Sequence, residues 1–232
     1  MGKDVIIACD FSNALQCFSF LDKFKDVKPF VKIGMELYLS EGPNIVREIK
    51  SRGHKIFLDL KLHDIPNTVE RTMSFFSRMD VDICNVHAAG TQEMMKAALR
   101  GLTKPDGSRA ILIGVTQLTS TDQEAMTRDL LIDRPIDEVV MHYAKTVKLS
   151  GLDGVVCSPL EAKKVHDECG EHFLTVTPGI RFADSEIGDQ KRIMTPAQAK
   201  AIGSDYIVVG RPITTAEDPV AAYYRCVNDF VD

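Results

Sequence analysis

Short apolar runs alternate with amphipathic stretches along nearly the whole chain. The runs fall at 5–9, 30–33, 56–60, 83–86, 111–115, 154–157, 174–176 and 206–209, each of strand length. Between them, helical patterns cover 14–24, 43–51, 67–78, 92–102, 136–149, 160–169 and 196–202, and a last helix is predicted at 219–230. Eight strands, each followed by a helix, is the count of an α/β chain folded as a (β/α)8 TIM barrel. No linker-like or low-complexity segment divides the pattern, so 1–232 reads as a single-domain barrel. An open doubly wound sheet is the competitor, but no Gly-x-Gly-x-x-Gly follows the first run.

One run departs from what a core strand should do. Lys55-Ile56-Phe57-Leu58-Asp59-Leu60 reads as buried, yet Asp59 and Lys61 stand two residues apart near its end. Alternation along a strand puts both on one side, about 7 Å apart. Asp64 follows where the chain should turn, and Pro66 suits the first turn of a helix. A salt bridge at a strand end would leave the same trace, so other positions must decide.

Barrel active sites lie at the C-terminal ends of the strands. Here those ends carry Asp10, Lys32, Asp59 with Lys61, His87, Thr116, Ser158, Pro178, and Gly210 with Arg211. Lys32 weighs most, because it lies inside Phe30-Val31-Lys32-Ile33-Gly34. A lysine there needs an acidic partner or an open pocket. Asp10 and Asp59, from the neighbouring strands, are the candidate partners. His87 and Ser158 serve equally well as structural residues, and no role is assigned to them.

The seventh and eighth strands end in Thr177-Pro178-Gly179-Ile180-Arg181 and Val208-Val209-Gly210-Arg211-Pro212. Phosphate commonly binds at those two loops of a barrel, and the glycines and arginines there suit it. The polar stretch 182–190 reads as a surface loop or a lid over that anion, with Gln190 as its neutral donor.

Composition narrows the classes. The 232 residues are 44 % hydrophobic and 26 % charged with a net charge of -5, a globular profile lacking the basic excess of a nucleic-acid or membrane-surface binder. The six cysteines are scattered without a CxxC pair, so buried free thiols are expected rather than a zinc site or a disulfide framework. The N-terminus is charged too early for a signal peptide and no run approaches membrane-span length, which makes the cytoplasm the expected location.

The motifs together resemble orotidine 5'-phosphate decarboxylase. Asp59-x-Lys61-x-x-Asp64, with Lys32 and Asp10 before it, is similar to that family's core, and 57–68 looks like its bacterial signature. Val115-Thr116-Gln117-Leu118-Thr119-Ser120, Thr177-Pro178-Gly179-Ile180-Arg181, Asp189-Gln190-Lys191-Arg192 and Val209-Gly210-Arg211-Pro212-Ile213 continue the match in the family's order. The resemblance implies decarboxylation of orotidine 5'-phosphate to UMP without cofactor or metal, the last step of pyrimidine nucleotide synthesis. It implies a homodimer whose Lys32, Asp59 and Lys61 are completed by Asp64 of the second chain, with Lys61 protonating C6. It places Asp10 and Lys32 at the ribose, with Ile65 and Thr68 alongside, and Thr119 at the pyrimidine. Arg181, Gln190, Gly210 and Arg211 fall to the phosphate, and Pro178 is a further substrate-binding residue. Magnesium-dependent barrels share Asp59-x-Lys61-x-x-Asp64 but carry an acidic metal ligand where Lys32 stands, and a lysine there opposes a cation. A catalytically silent nucleotide binder is the remaining alternative, although it would have no need of buried opposed charges.

Overall fold

The computed structural model describes residues 3–183 and 194–232. Its eight strands, all parallel, are β1 (Asp4–Ala8), β2 (Phe30–Gly34), β3 (Ile56–Leu62), β4 (Ile83–His87), β5 (Ile111–Val115), β6 (Gly154–Val156), β7 (Leu174–Thr177) and β8 (Tyr206–Val209). They pair in chain order, and β8 returns to β1 to close the barrel. The helices are α1 (Ala14–Leu21), α2 (Met35–Glu41), α3 (Asn44–Ser51), α4 (Pro66–Phe76), α5 (Thr91–Leu102), α6 (Gln123–Asp129), α7 (Ile136–Leu149), α8 (Ala162–Cys169), α9 (Pro196–Ala201), α10 (Arg211–Thr214) and α11 (Pro219–Phe230). The fold is the expected (β/α)8 TIM barrel.

Strand alternation sorts the side chains into two cores. Ile6 and Ala8 of β1 face the interior with Phe30, Phe57, Ile83, Ile113, Val176, Tyr206 and Val208. Val5, Ile7 and Cys9 face outward and pack under the helices with Val31, Leu58, Cys84 and Val209. Strands buried on both faces have to be nearly all apolar, which is why they read as continuous runs rather than alternating ones.

All six cysteines are free and buried, as expected. Met94 and Met95 are wholly buried under the barrel wall, and Tyr223 is buried whereas Tyr224 is largely exposed. Three helices escape the sequence pattern: α2 begins directly at the end of β2, α6 is short and polar, and α10 is a single turn. Phe182, read as the first residue of a polar lid, is instead buried against the core with Arg225 stacked 4.1 Å from its ring centroid. From residue 184 onward that lid lies outside the described residues, as do Gln190 and the Asp189-Gln190-Lys191-Arg192 motif.

Candidate active site

Inside the barrel the lower layer is apolar and the layer above it is not. On β2 the interior column runs from Phe30 to Lys32, on β3 from Phe57 to Asp59, and on β4 from Ile83 to Asn85. Three neighbouring strands thus place an ammonium, a carboxylate and an amide on the interior side, toward their C-terminal ends. Lys32 Nζ lies 2.9 Å from Asp10 Oδ1 and 3.5 Å from Asp59 Oδ2. Lys61 Nζ reaches the other oxygen of Asp59 at 2.7 Å. The partners expected for Lys32 are therefore the ones it has.

Removing two ions from water costs several kcal/mol each, which only mutual attraction and full hydrogen bonding can offset. Burial pushes the Asp59 carboxyl up, but the Lys32 and Lys61 charges and hydrogen bonds from Lys61 and Asn85 outweigh it and hold it below the usual carboxylate range. Burial likewise pushes Lys32 down, and the attraction of Asp59 and Asp10 reverses this and raises it. Both groups stay ionised near neutrality. Gly34, just beyond Lys32, leaves room for the pair: a Cβ there would stand 2.9 Å from Lys32 Nζ and 3.1 Å from Asp10 Oδ1.

Lys61 arrives by an irregular route. β3 runs two residues further than its apolar pattern, to Leu62, and it is not a regular strand. Leu58 pairs with Cys84 but Leu62 with Val86, so β3 takes up extra length in a bulge. Lys61 sits in that bulge with a φ of 50°. A non-glycine residue in left-handed backbone is strained by roughly 1–2 kcal/mol. Simple alternation is thus not what brings Lys61 to Asp59. Asn85, fully buried on β4, accepts the Lys61 backbone N–H at 2.8 Å and donates to Asp59 Oδ1 at 2.7 Å. The apolar run 83–86 carried this signal, since a buried amide inside a strand must find partners.

A cavity of about 260 Å³ opens over this layer. Lys32, Asp59 and Lys61 form one wall, Gln117, Thr119 and Ser120 after β5 another, and Pro178 and Val208 the side at β7 and β8. Thr119 and Pro178 thus share the cavity with the charged residues, and Gln117 and Ser120, which lay unassigned in the matched motif, join them. A larger concavity of about 560 Å³ lies at the opposite, N-terminal end of the strands, around Asp4, Phe30, Lys55 and Tyr206. Barrel chemistry belongs to the C-terminal face, and it is there that the buried opposed charges converge.

The remaining expected residues lie around the rim. Gly179 has a φ of 82°, a conformation that suits glycine, and its carbonyl accepts from the Met194 backbone. Arg181 is buried, with one guanidinium nitrogen donating to its neighbour's carbonyl, that of Ile180, at 2.7 Å. Gly210 and Arg211 lead from β8 into α10, and Arg211 is exposed. Pro66 opens α4 as expected, and Asp64, Ile65 and Thr68 at its start are all exposed. The Asp64 carboxylate accepts from the Ile65 backbone N–H at 2.6 Å.

His87 leans on His63 with ring centroids 5.6 Å apart, and burial, then His63 and Lys61, holds it below the ordinary imidazole range. Ser158 is a structural residue: its hydroxyl caps the turn after β6, while Glu161 accepts from its backbone N–H at 2.8 Å. Thr116 is buried and donates to the Val156 carbonyl at 3.0 Å. Among the described residues no three His, Cys, Asp or Glu side chains converge as a metal-ligand set.

Comparison with known proteins agrees with this geometry. The model of the orotidine 5'-phosphate decarboxylase / HUMPS family matches residues 3–226. The orotidine 5'-phosphate decarboxylase of Geobacillus sp. (strain WCH70) is 54 % identical over 233 residues, spanning 99 % of this chain and 98 % of its own. That of Bacillus cytotoxicus is 54 % identical over 226 residues, 96 % of this chain and 95 % of the relative. Among solved structures, orotidine 5'-phosphate decarboxylase from Lactobacillus acidophilus superposes with a TM-score of 0.89 at 42 % identity, covering 99 % of this chain and 100 % of that one. An uncharacterized conserved protein from Geobacillus kaustophilus gives 0.87 at 47 % identity, over 97 % and 99 %. Matches of this extent leave one assignment: the chain belongs to the orotidine 5'-phosphate decarboxylase / HUMPS family and is an enzyme of the carboxy-lyase kind for which its relatives are named.

Proposed function

We propose that this chain converts orotidine 5'-phosphate to UMP and CO2 without a cofactor, in the last step of pyrimidine nucleotide synthesis, and that Lys61 is its proton donor. The observation that carries the reading is the row of alternating charges Asp10, Lys32, Asp59 and Lys61, the last three of which line the cavity. When the bond from C6 to the carboxyl carbon breaks, its electron pair stays on C6. An ammonium fixed beside that carbon stabilises the developing charge and then gives it a proton, becoming a neutral amine. Lys61 is a quarter exposed, so solvent can return that proton. Asp59 holds the donor in place and keeps its own charge against the substrate carboxylate.

The other residues bind rather than react. Asp10 and Lys32 take the ribose hydroxyls and Thr119 the pyrimidine, Pro178 borders the substrate in the cavity, and Arg181, Gln190, Gly210 and Arg211 take the phosphate. The cavity is smaller than the roughly 300–1,000 Å³ of most small-molecule sites, which suits a pocket for the base with ribose and phosphate lying toward the rim. Binding energy from the phosphate, remote from C6, then contributes to positioning, so a nucleoside lacking it loses turnover as well as affinity.

The site is completed in a homodimer by the partner's Asp64, with the partner's Ile65 and the partner's Thr68 beside it. Exposure of all three on this protomer supports that arrangement, Ile65 above all, because an apolar side chain 65 % exposed at a site's edge suits an interface. The enzyme works in the cytoplasm as a single barrel domain; among the described residues no helix is long and apolar enough to cross a membrane.

The deciding experiment follows the absorbance of orotidine 5'-phosphate with the enzyme in excess EDTA. Decay at the rate seen without chelator is the expected result. A rate abolished by EDTA and restored by magnesium would favour the metal-dependent relatives, and tight UMP binding without any decay would leave a silent binder.

A further inference from the structure

We propose that Asn85 is a positioning residue that sets the aim of the Lys61 ammonium; the inference rests on Lys61 being the proton donor. The amide has two ends and both are committed. Its oxygen takes the backbone N–H of Lys61, and its nitrogen gives a hydrogen to the same Asp59 oxygen that holds Lys61 Nζ. The orientation of the amide follows from its partners, since a backbone N–H can only donate and an ionised carboxylate can only accept.

The geometry makes this more than a filler of a polar layer. Where β3 bulges, ladder pairing with β4 lapses between Leu58 and Leu62, and the Lys61 N–H loses its place in the sheet. Asn85 stands in for the missing ladder carbonyl and so stabilises the left-handed backbone at Lys61. Its other end fixes the carboxylate against which Lys61 is braced. Backbone and side-chain terminus of one lysine are therefore located by one amide. Asn85 does not line the cavity and needs no contact with substrate.

Asn85→Ala removes both hydrogen bonds and Asn85→Asp keeps the acceptor while placing a second carboxyl against Asp59. For Asn85→Ala we expect kcat to fall about 10–100-fold, as for a displacement near 1 Å, with KM and UMP affinity nearly unchanged. For Asn85→Asp we expect a new pH dependence: turnover relative to the parent recovers toward acid pH, where the introduced carboxyl, once protonated, can again donate to Asp59. Both are measured where circular dichroism shows the variant folded, because a purely structural role would lower kcat with the folded fraction and leave the pH profile unmoved. Asn85→Ala within about threefold of the parent kcat overturns the proposal. So does Asn85→Asp with the parent's pH profile, even if the alanine variant fails to fold. Lys61→Ala in the same assay keeps the two readings apart: activity there removes the proton donor and this proposal with it, whereas an inactive Lys61→Ala beside a fully active Asn85→Ala overturns the Asn85 role alone.

Discussion

Lys32 and Asp59 stand on adjacent strands with their charged ends 3.5 Å apart, their side chains 11 % and 10 % exposed. At such burial each charge needs opposed partners, and each is the other's neighbour across the strand pair. Lys32→Met is therefore expected to lose about 3 kcal/mol in urea unfolding, near the low end for breaking a buried pair, because Lys61 and Asn85 still serve Asp59. An unchanged midpoint would mean that the pair contributes nothing to the fold.

Lys61→Ala should be folded, should bind UMP, and should lose decarboxylation by about 10⁴-fold or more, the upper range for a proton-transfer group. Asp59 keeps Lys32 and Asn85 in that variant, so no isolated charge is left behind. Single-turnover absorbance together with UMP titration checks both halves. Turnover near the parent rate would take Lys61 out of the chemistry.

Mixing Lys61→Ala chains with Asp64→Ala chains should restore activity that neither homodimer has. Random pairing makes half of the dimers mixed, each with one intact site of two, so about a quarter of parental specific activity is expected. No recovery, with mixed dimers demonstrated by mass, would argue that each protomer uses its own Asp64.

Acid should weaken the fold in two steps. Burial holds His54 and His87 below the ordinary imidazole range, in His54 against the pull of the Pro29 carbonyl and in His87 with help from His63 and Lys61. A ring with a lowered folded-state pKa stabilises above its unfolded value of about 6.5 and loses that contribution as pH drops through the lower one. Asp59, also lowered, does the same below about 4, whereas raised Lys32 contributes fully until pH exceeds about 10.4. Urea midpoints should thus fall between pH 7 and pH 5, and less so in His54→Gln. Midpoints that rise on acidification would contradict this.

Gly101→Ala should destabilise although alanine is the better helix former by about 1 kcal/mol. A Cβ there would lie 2.0 Å from the Glu70 carbonyl oxygen, where α5 crosses α4, and a backbone oxygen cannot step aside as a flexible side chain can. Overpacking of about 1–3 kcal/mol or more should win, and thermal unfolding would register it.

The barrel was legible because buried parallel strands must be apolar runs, and eight of them with helices between admit few folds. Lys32 was legible for the converse reason: a charge inside such a run demands partners. Asn85 breaks the same rule more quietly, because a neutral amide stands out less than a charge among apolar neighbours. The bulge at Lys61 could not be read, since it exists only in the register between two strands, and no single stretch of sequence encodes a register. Phe182 misled because its polar neighbours masked one buried ring, and α6 because seven mostly polar residues carry little periodicity.

The bulge also limits how this chemistry can be moved between scaffolds. Copying Asp59, Lys61 and Asp64 onto a regular strand of another barrel would carry the letters without the backbone that aims the lysine. A transplant would have to take β3 and β4 as one hairpinless pair, spacing and asparagine included. A host that accepts only the first of them should bind nucleotide and leave it intact.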